Sequence, residues 1–127
     1  MKLASFIAAL VFSATGAAFA ADKHEHGHAH QPLHGGVVVE VKDMDYELVA
    51  KADGLQLYVR DHGKPVDVSQ ASAKLILLAG TDKQEVALSP AGDKLEAKGS
   101  FKVAAKTKVM ALVTLAGKSS TVRFVLK

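Results

Sequence analysis

The sequence predicts an all-β domain, an antiparallel β-sandwich of the immunoglobulin-like or fibronectin type with roughly seven to eight strands. Three observations carry that expectation. Apolar residues recur at every second position over most of the chain after Val37. Turn-forming pairs such as Asp53-Gly54, Gly92-Asp93 and Gly117-Lys118 interrupt the alternation at short intervals. Beyond Ala20 no stretch shows a helical stripe. A small closed barrel is the second architecture that fits the same pattern.

The elements follow in order. Val37 to Val41 is a β-branched run. Tyr46, Leu48 and Ala50 alternate with Glu47, Val49 and Lys51. After the Asp53-Gly54 turn, Leu55, Leu57 and Val59 alternate with Gln56, Tyr58 and Arg60. Asp61 to Pro65 forms another turn. Leu75 to Leu78 is apolar throughout, as a central strand buried on both faces would be. Gln84 to Leu88 is a further strand, expected to close at Ser89-Pro90. Leu95 to Val103 holds one interrupted strand or two short ones. Val109, Ala111, Val113 and Leu115 form the next inward set, and Val122, Phe124 and Leu126 line the last strand.

The N-terminus reads as an address. Met1-Lys2 is a short positive start, Leu3 to Phe12 is almost wholly apolar, and Ala18-Phe19-Ala20 matches the small-x-small pattern of a signal-peptide cleavage site. The apolar run falls short of the about 20 residues of a spanning helix. Residues 1–20 are therefore expected to be a signal peptide, 21–36 a flexible His-rich arm with Gly35-Gly36 as its hinge, and 37–127 the β-domain. A periplasmic, exported protein with no membrane span after cleavage is the expectation. No cysteine stands at the cleavage site, which excludes a lipoprotein.

Composition narrows the function. The chain carries 16 basic and 13 acidic residues, a net charge of +3, with no long basic block. Nucleic acid recognition asks for a clustered basic face, so it is not expected. Without cysteine there are no disulfides, thiolate ligands or cysteine nucleophiles. No nucleophile elbow or phosphate-binding glycine loop is present, so the chain is not read as an enzyme.

The chemistry lies in the histidines. Five of the 6 stand between His24 and His34: His24, His26, His28, His30 and His34. Alternate side chains of an extended segment fall on one side, so four imidazoles can face one ion. Neutral imidazole suits Cu(II), Zn(II), Ni(II) and Co(II), with Cu(II) or Zn(II) expected first. Asp22 and Glu25 can add oxygen ligands. A solvated polar tail would need only one or two histidines, whereas a His-rich tract is a metal-binding composition. His62, in the turn Asp61-His62-Gly63, reads first as a solvent-exposed turn residue. It would join the metal site if that turn lies beside the arm. Met44 and Met110 are soft thioethers that also read as ordinary packing.

One resemblance adds to this. Pro32-Leu33-His34-Gly35-Gly36-Val37-Val38, Tyr46-Glu47-Leu48-Val49, Leu57-Tyr58-Val59-Arg60-Asp61 and Gly63-Lys64-Pro65-Val66 resemble small periplasmic proteins found with heavy-metal efflux systems. They are also similar to the N-terminal β-domain of cobalt-zinc-cadmium-type efflux adaptor (membrane fusion) proteins. Leu88-Ser89-Pro90, Gly92-Asp93 and Leu95 fit the later part of that pattern. The resemblance implies that His34 and the preceding histidines handle metal. It also implies a component of a metal-efflux system as partner. The adaptors' coiled-coil, lipoyl-like and barrel segments have no counterpart before Lys127, so a free-standing metal-buffering or metal-delivery protein is expected. The alternative is a cell-envelope interaction module with no essential metal role.

Overall fold

The structure is a computed structural model that describes residues 31–127. The expected signal peptide, and His24, His26, His28 and His30, lie outside the described residues. Within them the chain is all-β and antiparallel, with no helix.

Nine strands form one nearly closed sheet: β1 (Val37–Val41), β2 (Met44–Lys51), β3 (Gly54–Asp61), β4 (Lys64–Pro65), β5 (Ser72–Ala79), β6 (Asp82–Ala91), β7 (Lys94–Lys98), β8 (Lys108–Leu115) and β9 (Lys118–Val125). Their order is β1-β2-β3-β7-β6-β5-β8-β9, with the two-residue β4 paired to β3. The two end strands, β1 and β9, lie side by side without a ladder between them.

Strand β6 joins the two halves of the sheet. Its residues 82–88 pair with β5, and Ser89 to Ala91 pair with β7. The sequence expectation of a strand end at Ser89-Pro90 is corrected by this continuation. Proline is tolerated because the β5 ladder ends at the Ala73–Leu88 pair, which leaves one edge of β6 free at Pro90. Leu95 to Val103 holds the single strand β7. Residues 99–107 then run without strand pairing, with Phe101 and Val103 packed against the core.

The hairpins turn in two residues. Lys42-Asp43 (φ 53° and 67°), His62-Gly63 (54° and 83°) and Ala116-Gly117 (50° and 80°) all take the doubly left-handed geometry that matches strand twist. Between β2 and β3 the turn residues are Ala52-Asp53, and Gly54 already pairs with Lys51. The carbonyls of Ala52 and Asp53 accept hydrogen bonds from the Phe101 and Gly99 amides, which pins the 99–101 segment to that end.

The inward positions build one core. Tyr46, Leu48, Leu55, Leu57 and Val59 face Leu75, Leu77, Val109, Ala111, Val122 and Phe124 across the interior. The alternation expected from the sequence is seen in β3, β8 and β9, whereas β2 is buried on both faces from Asp45 to Val49. Strand β5 is central, between β6 and β8, but it is not buried on both faces. Leu75 and Leu77 point inward, while Leu78 is 42% exposed.

Candidate functional site

On β2 and β3 the outward positions include Asp45, Glu47 and Val49, and Gln56, Tyr58 and Arg60. Outward residues of a single sheet meet water, yet Glu47 is fully buried and Arg60 nearly so. Residues 31–36 explain this. They cross the outer face of β2 and β3 as a strap and cover both side chains.

Glu47 holds the strap. Its Oε1 accepts from the Leu33 amide at 3.0 Å and from Arg60 Nη1 at 2.9 Å. Its Oε2 accepts from the His34 amide at 2.8 Å and the Gly36 amide at 2.9 Å. Arg60 Nη2 reaches further along the strap and donates to the Gln31 carbonyl at 3.0 Å. Burial alone would push the Glu47 carboxyl upward. The amides of Leu33, Gly36 and His34 together with Arg60 outweigh it, and the carboxyl is held below its ordinary value.

The two glycines expected as a hinge each have a steric task. Gly35 adopts φ +78°, which turns the chain so that the amides on either side of it converge on Glu47. Gly36 lies flat on β2. A Cβ there would stand 2.3 Å from the Leu48 carbonyl oxygen and 2.8 Å from its carbon.

The strap places His34 on the sheet. Its exposed ring stacks on Tyr58 with centroids 3.6 Å apart and planes 11° from parallel. Tyr58 is held in turn: its hydroxyl donates to Gln56 Oε1 at 3.4 Å, and Gln56 Nε2 donates to Glu96 Oε2 at 3.0 Å. Stacking uses the faces of the imidazole and leaves its nitrogens at the rim. A cavity of about 80 Å³ opens there, lined by His34, Tyr58, Arg60, Gly63, Pro65 and Asp93.

Of the five histidines expected as ligands, the described residues include His34 alone. No group of three or more His, Asp or Glu side chains close enough to hold a metal occurs among the described residues. His62 sits at the tip of its turn with its ring against Asp61, both exposed. The neighbouring Gly63 and Pro65 line the His34 cavity, so this turn does lie beside the root of the arm. Met44 is half-buried beside the core, and Met110 lies half-buried on the outer face of β8 between Ile76 and Arg123. The two thioethers are on opposite halves of the sheet and do not form a pair.

Sequence reasoning missed the Glu47–Arg60 anchor. Glu47 occupied the polar half of an alternation and gave no sign of burial. Comparison with known proteins adds no relative: no family model matches the chain, no curated protein matches its sequence, and no solved structure matches its fold. No helix among the described residues is long and apolar enough to cross a membrane.

Proposed function

We propose that this chain is an exported transition-metal-binding protein of the periplasm that buffers or delivers Cu(II) or Zn(II) in a metal-resistance or efflux setting. One observation carries the reading: five of the 6 histidines fall within His24 to His34, and the last is oriented by the strap. A ligand whose ring is already positioned loses less freedom on binding than one on a free chain. His34 then serves as the fixed member of the site, and His24, His26, His28 and His30 supply the remaining ligands. Exchange with a donor or acceptor passes through imidazole ligands, with no covalent chemistry. The resemblance to efflux-associated periplasmic proteins supports the setting. Its quoted segments Leu33 to Gly36, Tyr46 to Val49 and Leu57 to Asp61 meet at the strap. For the finer architecture, we read the unbroken strand path, with β1 beside β9, as a small barrel rather than an immunoglobulin-like pair of sheets.

Metal titration of the chain, with and without residues 22–30, tests the function. The shortened chain keeps Gln31 and the strap. It is expected to lose most Cu(II) and Zn(II) binding while its β circular-dichroism spectrum stays unchanged. Undiminished affinity and stoichiometry in the shortened chain would overturn the proposal.

A further inference from the structure

The two halves of the sheet treat their outer faces differently. Over β2 and β3 the strap covers the outward side chains. Over β5, β8 and β9 none of the described residues plays that part. The outward positions there are apolar along the middle: Ile76 and Leu78 on β5, Met110 and Leu112 on β8, and Val125 on β9. Ile76 is directly opposite Met110. Leu78, Leu112 and Val125 are 42%, 47% and 53% exposed, and with Leu33 they are the exposed large apolar residues of the described chain.

The charges among these side chains have one dominant sign. Lys74, Lys108 and Arg123 occupy outward positions of these strands, and the adjoining β6 adds Lys83 and the single acid Glu85. Glu85 is already shared by Lys74 at 3.1 Å and Lys83 at 3.6 Å. Lys108 and Arg123 make no ion pair among the described residues. Lys108 is registered between Leu78 and Val125, and Arg123 stands opposite Met110, so each cation sits within the apolar stripe.

We propose that this face docks a protein segment presenting an apolar ridge bordered by carboxylates. A face on which cations are interleaved with exposed apolar side chains offers a partner both apolar area to bury and fixed charge to match. Charge complementarity selects the partner, since Lys108 and Arg123 favour carboxylates and repel cations. A second copy of this chain fits poorly, because two such faces would bring Lys108 and Arg123 against their own counterparts. A lipid surface fits poorly as well. The outward positions of β5, β8 and β9 carry no aromatic side chain of the kind that anchors proteins at a membrane interface.

Two synthetic helical peptides test this on the full chain by NMR. Both carry a leucine ridge, bordered by glutamates in one and by lysines in the other. The glutamate peptide is expected to shift amide signals of β5, β8 and β9 and to leave those of β2 and β3 in place. Leu112→Ser, and the double variant Lys108→Glu with Arg123→Glu, should each weaken it by about tenfold or more. These positions are exposed, and unchanged core methyl signals will show that the variants fold. Absence of binding by the glutamate peptide, or equal binding by the lysine peptide, overturns the proposal. So does self-association of the free chain through this face in sedimentation, or co-flotation with phosphatidylglycerol vesicles that Leu112→Ser abolishes.

Discussion

Arg60 and Glu47 form an ion pair on the outside of the sheet that is nevertheless shut off from water, with Nη1 2.9 Å from Oε1. The cover is the chain's own residues 31–36, and the pair holds that cover down from beneath. Removing one member of a buried pair leaves the other uncompensated, at a cost of about 3–5 kcal/mol. Glu47→Ala should therefore destabilise the protein strongly, up to that range. Release of the strap lets Arg60 reach water and offsets part of the loss. Hydrogen exchange separates the two effects. The amides of Leu33, His34 and Gly36 should lose protection in Glu47→Ala before those of β5 and β8 do. Equal protection in variant and parent would show that the carboxylate does not hold the strap.

The same anchor sets an acid limit. Glu47 is held below its ordinary value of 4.5. A group lowered in the folded state contributes stability that is fully present above its unfolded value and is lost as pH falls through the folded one. Protection of the Leu33, His34 and Gly36 amides should thus be constant from neutrality down to about pH 5 and fall only below 4.5. Metal binding through imidazole nitrogens is opposed by protons, which compete for the same lone pairs as pH falls. Metal release between about pH 7 and pH 5 should therefore occur with the strap still in place. Strap release that tracks metal release over that window would contradict this order.

Gly35 and Gly36 should respond differently to alanine. At Gly36 the new Cβ meets the Leu48 backbone at 2.3 Å, and backbone cannot swing aside as a side-chain tip can. At Gly35 nothing lies within 4 Å, and the cost is that of a left-handed residue, about 1–2 kcal/mol. Urea unfolding is expected to rank Gly36→Ala as the more damaging change. The opposite order would mean that the strap does not lie this close to β2.

Much of this fold was legible because burial followed alternation. In β3 the odd positions Leu55, Leu57 and Val59 went inward and the even ones outward, as a half-buried strand requires. The alternation failed where a second layer was added. Glu47 is outward in register and buried in fact, and nothing within β2 reveals that residues 31–36 return to cover it. In β5 the error ran the other way. Four apolar residues in a row predict two buried faces, yet Leu78 is on the surface. Hydrophobicity reports what a face can bury, and which face is covered is a property of the tertiary structure. The candidate site was half-visible for the same reason. Histidine clustering marked His34, while its stacking on Tyr58 depends on the strap.

Neighbouring leucines in β5 make that distinction measurable. Leu77 is 1% exposed in the core and Leu78 is 42% exposed outside. Leu77→Asp should abolish folding, since an unpaired buried carboxylate costs more than a small domain's stability of about 5–15 kcal/mol can absorb together with the lost packing. Leu78→Asp should fold and melt within a few degrees of the parent. A cooperatively melting Leu77→Asp protein would show that the core is misplaced.

The His34–Tyr58 stack offers a direct test of whether His34 takes metal. The chain has no tryptophan and 2 tyrosines, so ultraviolet-excited emission comes from Tyr46 and Tyr58. Tyr46 is in the core, and Tyr58 has the His34 ring 3.6 Å from its own. Paramagnetic Cu(II) quenches a fluorophore in near contact, whereas closed-shell Zn(II) lacks that route. If His34 is a ligand, saturating Cu(II) should quench most of the Tyr58 emission, removal of the ion by EDTA should restore it, and Zn(II) alone should leave it unquenched. Tyr58→Leu should remove the Cu(II)-sensitive component and leave the Tyr46 signal. His34→Gln should retain emission from both tyrosines and lose the selective quenching, while His24 to His30 still bind some metal. Equal quenching in His34→Gln and the parent would place the ion away from the strap and remove His34 from the site.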